Sequence, residues 1–111
     1  KGIDGAEQIQ KIMAYLRANT PIEFAGHRTI WKKDYKTKEF VNIATGETEE
    51  STLPVSDVLY YNLEDGAWLC VRPSGTEPKI KLYLGTFAES FETAEKTIEK
   101  VLEDCKKQLG L

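Results

Sequence analysis

The sequence predicts an α+β domain, a four-stranded antiparallel sheet with two helices packed on one of its faces. Three observations predict it. Apolar residues recur at helical spacing near both ends of the chain. The stretch between them holds β-rich segments, the last three joined by short connections. Laying both helices on the same side of the sheet then covers every apolar face. The length, 111 residues, suits a single domain, and 41% hydrophobic with 30% charged residues is a globular rather than a disordered mix.

The first helix is expected over residues 4–19. Ile9, Ile12, Met13 and Leu16 form its apolar stripe, while Lys11 and Arg17 fall off it. Asp4 or Gly5 caps its start, Glu7 suits the positive end of the dipole, and Asn19-Thr20-Pro21 stops it. Gly26 opens a short strand over residues 27–33, anchored by Ile30 and Trp31.

Residues 34–56 read as a long, partly ordered loop. Phe40, Val41 and Ile43 suggest a short strand within it before a turn at Thr45-Gly46-Glu47, and the polar run from Glu47 to Thr52 has no apolar period. Residues 55–63 are a strand rich in Val, Leu and Tyr. Glu64-Asp65-Gly66 is a hairpin turn, because Asp-Gly supplies the positive φ that tight hairpins need. Residues 67–72 form the returning strand. The fourth, residues 79–85, alternates Ile80, Leu82 and Leu84 with Lys79, Lys81 and Tyr83, so one face is buried and the other wet or functional. Ser90 caps the last helix, whose stripe runs through Phe91, Ala94, Ile98, Val101, Leu102, Cys105 and Leu109. Lys106 and Lys107 suit its C-terminal end, and Gly110 stops it.

Composition closes several functions. Fifteen Lys and Arg against 18 Asp and Glu give a net charge of −3, which argues against a nucleic-acid partner. The sheet also lacks the aromatic, basic central-strand motif of an RNA-binding sheet. No apolar run is long enough to span a membrane and no secretory leader is legible, so no membrane partner is expected. One histidine, His27, excludes a His-rich metal site, and a Cys–His relay would need His27 to meet a cysteine with no local signature for it. Cys70 and Cys105 allow one disulfide or two buried thiols, and their apolar-face positions favour thiols. Trp31, Trp68, Tyr60, Tyr61 and Tyr83 suit stacking on a sugar or a base, although packed strand aromatics are the commoner case.

The segment Arg72-Pro73-Ser74-Gly75-Thr76-Glu77-Pro78-Lys79 is longer than a hairpin needs. Arg72 brings a planar fork of donors, Ser74 and Thr76 bring hydroxyls, and Gly75 allows unusual backbone geometry and close approach of a ligand. The N–H groups of Gly75 and Thr76 suit an anion nest, and Pro73 and Pro78 stiffen both ends. Composition alone leaves two readings open, a phosphate clamp and a polar surface turn.

The same string resembles the phosphate-binding loop of the α-D-phosphohexomutases, a family that includes phosphoglucomutase, phosphomannomutase and phosphoglucosamine mutase. The flanking Leu53-Pro54-Val55-Ser56-Asp57-Val58-Leu59 and Ile80-Lys81-Leu82-Tyr83 are most like its bacterial phosphoglucomutase branch. The resemblance covers nearly the whole chain and is weakest over residues 34–52. It implies the fourth, C-terminal domain, TATA-binding-protein-like in arrangement, of a cytoplasmic isomerase interconverting glucose 1-phosphate and glucose 6-phosphate. It implies that Arg72, Ser74, Gly75 and Thr76 grip the substrate phosphate that is not reacting, with Glu77 and Lys79 in support. It places the phosphoserine and the Mg2+ ligands of the full-length enzyme on other domains, outside these 111 residues, with a sugar 1,6-bisphosphate as intermediate. The chain, which starts at Lys1 rather than Met, is thus read as a piece excised from a larger enzyme. It is expected to hold no catalytic and no metal-ligating residue of its own, and to have the phosphosugar and its sister domains as partners. The rival reading is a free-standing, non-catalytic phosphosugar-binding or interaction module.

Overall fold

A computed structural model describes residues 5–111. The expected class is observed, with more strands than expected. Helix α1 (Gly5–Ala18) precedes β1 (Glu23–Phe24), β2 (His27–Asp34), β3 (Glu39–Asn42), β4 (Thr48–Glu50), β5 (Leu59–Leu63), β6 (Trp68–Pro73) and β7 (Ile80–Gly85), and helix α2 (Phe91–Leu109) ends the fold. The strands form one sheet in the order β4-β3-β2-β5-β6-β7, with β1 paired to β2 off that path. Every pairing is antiparallel. The cap expected at Asp4 lies outside the described residues, and the helix is described from Gly5.

The count of four strands is corrected to seven, and the extra three have physical causes. β1 and β2 are joined through Ala25 and Gly26, both at positive φ (50° and 84°), the backbone of a two-residue hairpin. β3 and β4 form a hairpin inside residues 34–56. Lys33 pairs with Phe40, and Phe40 pairs with Glu49. β4 is polar and exposed throughout, so no apolar period announces it and backbone pairing alone makes it a strand. β5 starts at Leu59 rather than Val55. Tyr35 instead ties down the preceding residues, donating to the carbonyl of Val58 and accepting from Ser56 N–H.

Alternation sorts the sheet into two faces. Leu59, Tyr61, Leu63, Leu69 and Val71 are buried against Met13 and Leu16 of α1 and Val101 and Cys105 of α2. Phe24 packs on Tyr61 with ring centroids 5.7 Å apart. Ser90 caps α2 as expected, accepting from Thr93 N–H, and Gly110 ends the helix in the left-handed region. Phe91, expected on the stripe, is 83% exposed. The first turn of α2 stands off the sheet, and partial burial begins at Ala94. Three polar contacts fix the helices further. Asp104 accepts from Ala25 N–H at 2.7 Å, tying α2 to the β1–β2 turn. Arg17 is drawn inward despite falling off the apolar stripe, with Nε 3.0 Å from Asp34 Oδ2 and Nη2 2.8 Å from Asp57 Oδ1.

The opposite face carries no helix. Trp68 stacks on Tyr60 at 5.6 Å and 9° and lies across Gly85, where an added Cβ would come within 2.6 Å of the indole ring. Gly85→Val is therefore expected to push Trp68 off Tyr60 and cost about 1–3 kcal/mol of stability. Thermal unfolding and the near-ultraviolet aromatic dichroism check this. Unchanged values for both would mean that the indole does not need the glycine.

Candidate functional site

The loop between β6 and β7 is held by its own polar atoms. Ser74 N–H donates to the Lys79 carbonyl across the loop base at 2.8 Å. Ser74 Oγ accepts from Thr76 N–H at 3.4 Å and Glu77 N–H at 3.3 Å. Lys79 N–H donates to the Glu77 carbonyl at 2.8 Å. The Ser74 side chain is thus the hub of the turn. Its oxygen is engaged as an acceptor while its proton is left over to donate to an anion. The nest expected from Gly75 and Thr76 is changed accordingly, since Thr76 N–H is turned toward Ser74, while Gly75 N–H has no partner among the described residues.

Gly75 also departs from expectation. Its φ is not positive, and nothing lies within 4 Å of where its Cβ would be. The fold does not require a glycine there, so the missing side chain matters only to something approaching from outside. Pro78 anchors the other end of the loop. A Cβ added to Gly5 would lie 2.7 Å from the Pro78 Cβ, so the first turn of α1 packs directly on the loop.

A cleft of about 370 Å³ lies between the loop and α1, lined by Ala6, Ile9 and Gln10 from the helix and by Pro73 to Pro78 from the loop. Among the described residues no Lys or Arg lines it, and Glu77 does. The described cleft lining by itself supplies no cation to balance a dianion. The cationic side of the loop is the helix-free face of the sheet. Arg72 and Lys81 are direct cross-strand partners there, both exposed, and neither has a carboxylate partner among the described residues. A third cation on that face, Lys33, is engaged by the rings of Phe40 and Tyr60 at 5.4 and 5.6 Å. Lys79 is paired with Glu77 at 3.6 Å, a solvent-exposed contact.

The structure therefore brings Ser74, Gly75, Thr76 and Glu77 into one turn and sets Arg72 at its base on the cationic side. Lys79 closes the loop through its backbone. Lys81, on the wet alternation of β7, stands in the cluster beside Arg72. Two like charges at facing strand positions make this the electropositive side of the loop.

The cysteines stay outside this chemistry. Both are free thiols. Burial pushes the Cys105 thiol up to about 12, with Asp104 adding to the shift. Burial also raises Cys70, against the opposing charge of Arg72. Neither is a thiolate near neutral pH. His27 faces Asp65 at 3.5 Å and meets no cysteine. Among the described residues no three His, Cys, Asp or Glu side chains are grouped to hold a metal ion, and no helix is long and apolar enough to cross a membrane.

Comparison with known proteins identifies a family and relatives of the chain. Residues 6–104 match the family described as phosphoglucomutase/phosphomannomutase, C-terminal domain. A phosphoglucomutase of Staphylococcus epidermidis is 32% identical over 102 residues, which is 92% of this chain and 18% of the relative. A phosphoglucomutase of Staphylococcus aureus is 33% identical over 101 residues, 91% of this chain and again 18% of the relative. The chain thus spans under a fifth of the length of the curated relatives it matches. No solved structure matches it.

Proposed function

The chain belongs to the phosphoglucomutase/phosphomannomutase family as its C-terminal domain, and on that premise we propose that it binds the non-reacting phosphate of a hexose phosphate and closes the cleft of a longer cytoplasmic mutase. Arg72 carries the reading. It is an exposed guanidinium without a carboxylate partner among the described residues, beside Lys81 and at the base of a stiffened turn. A phosphate dianion seated there accepts paired N–H donors from Arg72, the leftover proton of Ser74 and the N–H of Gly75. Thr76 adds a hydroxyl, and Glu77 keeps the turn in shape through its bond to Ser74.

Closure over the sugar excludes water, so a phosphorylated enzyme gives its phosphoryl group to the sugar rather than to solvent. Gripping the distal phosphate also positions the reacting hydroxyl. The phosphoserine and Mg2+ implied by the family belong to other parts of such an enzyme. The described residues here lack a ligand cluster for the metal, and no step assigned to this domain runs through it.

Titrating the 15N-labelled chain with inorganic phosphate and with glucose 6-phosphate tests the reading. Millimolar or weaker dissociation constants are expected, about −4 kcal/mol, because one loop of one domain supplies the phosphate contacts. Arg72, Ser74, Gly75 and Thr76 should move first. Largest shifts on α2 would overturn the assignment. The chain alone should show no mutase turnover.

A further inference from the structure

On the three strands nearest the loop, the helix-free face carries one ring that ring packing leaves unused. On β5, β6 and β7, Trp68 and Tyr60 satisfy each other by stacking, and Tyr61 is buried against Phe24. Tyr83 has no ring contact among the described residues and is 44% exposed. It pairs across the strands with Cys70, one step from the Arg72–Lys81 pair. It is therefore diagonal to Arg72 and two residues from Lys81 on the same face. Two residues of strand advance about 6.8 Å. That is the order of the reach from the phosphorus of a sugar phosphate, through its ester linkage, to the sugar ring.

We propose that Tyr83 is the platform on which the pyranose ring of a hexose phosphate rests while Arg72 holds its phosphate. The C–H bonds on one face of the sugar, polarised by adjacent oxygens, meet the electron-rich face of the phenol ring. The phenol hydroxyl lies at the ring edge, where it can exchange hydrogen bonds with sugar hydroxyls. Cys70 opposite is half-buried and keeps its proton, so it places no charge beneath the sugar. Occupancy by a sugar follows from charge complementarity: the unpaired cations fix an anion at one end of the ring, and the uncharged aromatic surface next to them takes what the anion carries. The proposal rests on the phosphate reading of Arg72 and adds a sugar-recognising residue to that site.

The test compares two ligands on the same chain, inorganic phosphate and glucose 6-phosphate, in the unaltered protein and in Tyr83→Ala, Tyr83→Leu and Tyr83→Phe. Saturating the Tyr83 ring in the unaltered chain should transfer to sugar protons, an outcome that needs no variant to fold. Tyr83→Ala and Tyr83→Leu should weaken glucose 6-phosphate about 3- to 10-fold and leave inorganic phosphate unchanged, while Tyr83→Phe should keep most of the affinity. Equal weakening of both ligands, or of neither, would overturn the platform and leave the phosphate site standing. If inorganic phosphate itself fails to move Arg72 and the loop, the parent reading falls and this one with it.

Discussion

Arg17→Ala should cost about 2–4 kcal/mol of folding stability. Breaking a buried pair costs about 3–5 kcal/mol, because the partner's charge is left without compensation. Solvent near Asp57, whose side chain is 30% exposed, trims that figure. Asp34 suffers most, at 6% exposure. Its remaining support is the N–H groups of Lys36 and Thr37. For a domain whose total stability is about 5–15 kcal/mol the loss is large, on the order of a 10–20 °C fall in Tm. Arg17→Lys should recover little, since one ammonium replaces a fork that reaches Asp34 and Asp57 together.

The effect should depend on pH with a definite sign. Burial alone would push the Asp34 carboxyl up, but the hydrogen bond and charge of Arg17, with the Lys36 and Thr37 N–H groups, hold it below its usual 3.8. A carboxyl depressed in the folded state contributes stability above its unfolded pKa and loses it as pH falls through the folded value. The gap between the native chain and Arg17→Ala should thus be full at pH 7 and close progressively below about pH 4. Urea titrations at pH 7, 4 and 3 measure it. A gap independent of pH would mean that Arg17 stabilises by packing its stem rather than by charge.

This cluster shows what the sequence could not carry. Arg17 falls off the apolar stripe of its helix and nothing local announces its burial, because its partners are remote in sequence and only tertiary folding brings them together. Features written in local chemistry were legible. Asp65 and Gly66 occupy the positive-φ positions of the hairpin (63° and 74°), Ser90 caps α2, and the alternation of β7 separates Leu82 from Lys81 and Tyr83. Strands without such marks were missed. Thr48, Glu49 and Glu50 offer no apolar residue to count, and Ala25 gives no warning of a positive φ. At the candidate site the resemblance singled out the segment, but the positions its residues take within the loop were not legible. That Ser74 is the hub, that Gly75 faces open space and that Arg72 lies on the sheet face away from the cleft beside α1 depend on backbone path and register.

The largest functional effect is expected from Arg72→Ala in the full-length mutase to which we assign the chain. It removes a charge-assisted, paired contact worth about 1.5–3 kcal/mol, or roughly 10- to 150-fold in kcat/KM. Arg72 is exposed and makes no ion pair among the described residues, so stability should barely change, unlike Arg17→Ala. Arg72→Lys should restore part of the activity, since it returns the charge without the fork. In the reaction proposed above a sugar bisphosphate turns over within the cleft, and Arg72 is then expected to grip the 6-phosphate in one half and the 1-phosphate in the other. The loss should therefore be similar for both substrates, as the fixed equilibrium constant also demands of the two kcat/KM values. Direction alone thus discriminates little, and the informative readout is the intermediate. A looser grip lets the bisphosphate leave before it reorients, so its release per turnover should rise in Arg72→Ala and fall back partly in Arg72→Lys. If kcat/KM and bisphosphate release both stayed at native values, Arg72 would not be the phosphate ligand, and the loop would be a polar turn joining two strands.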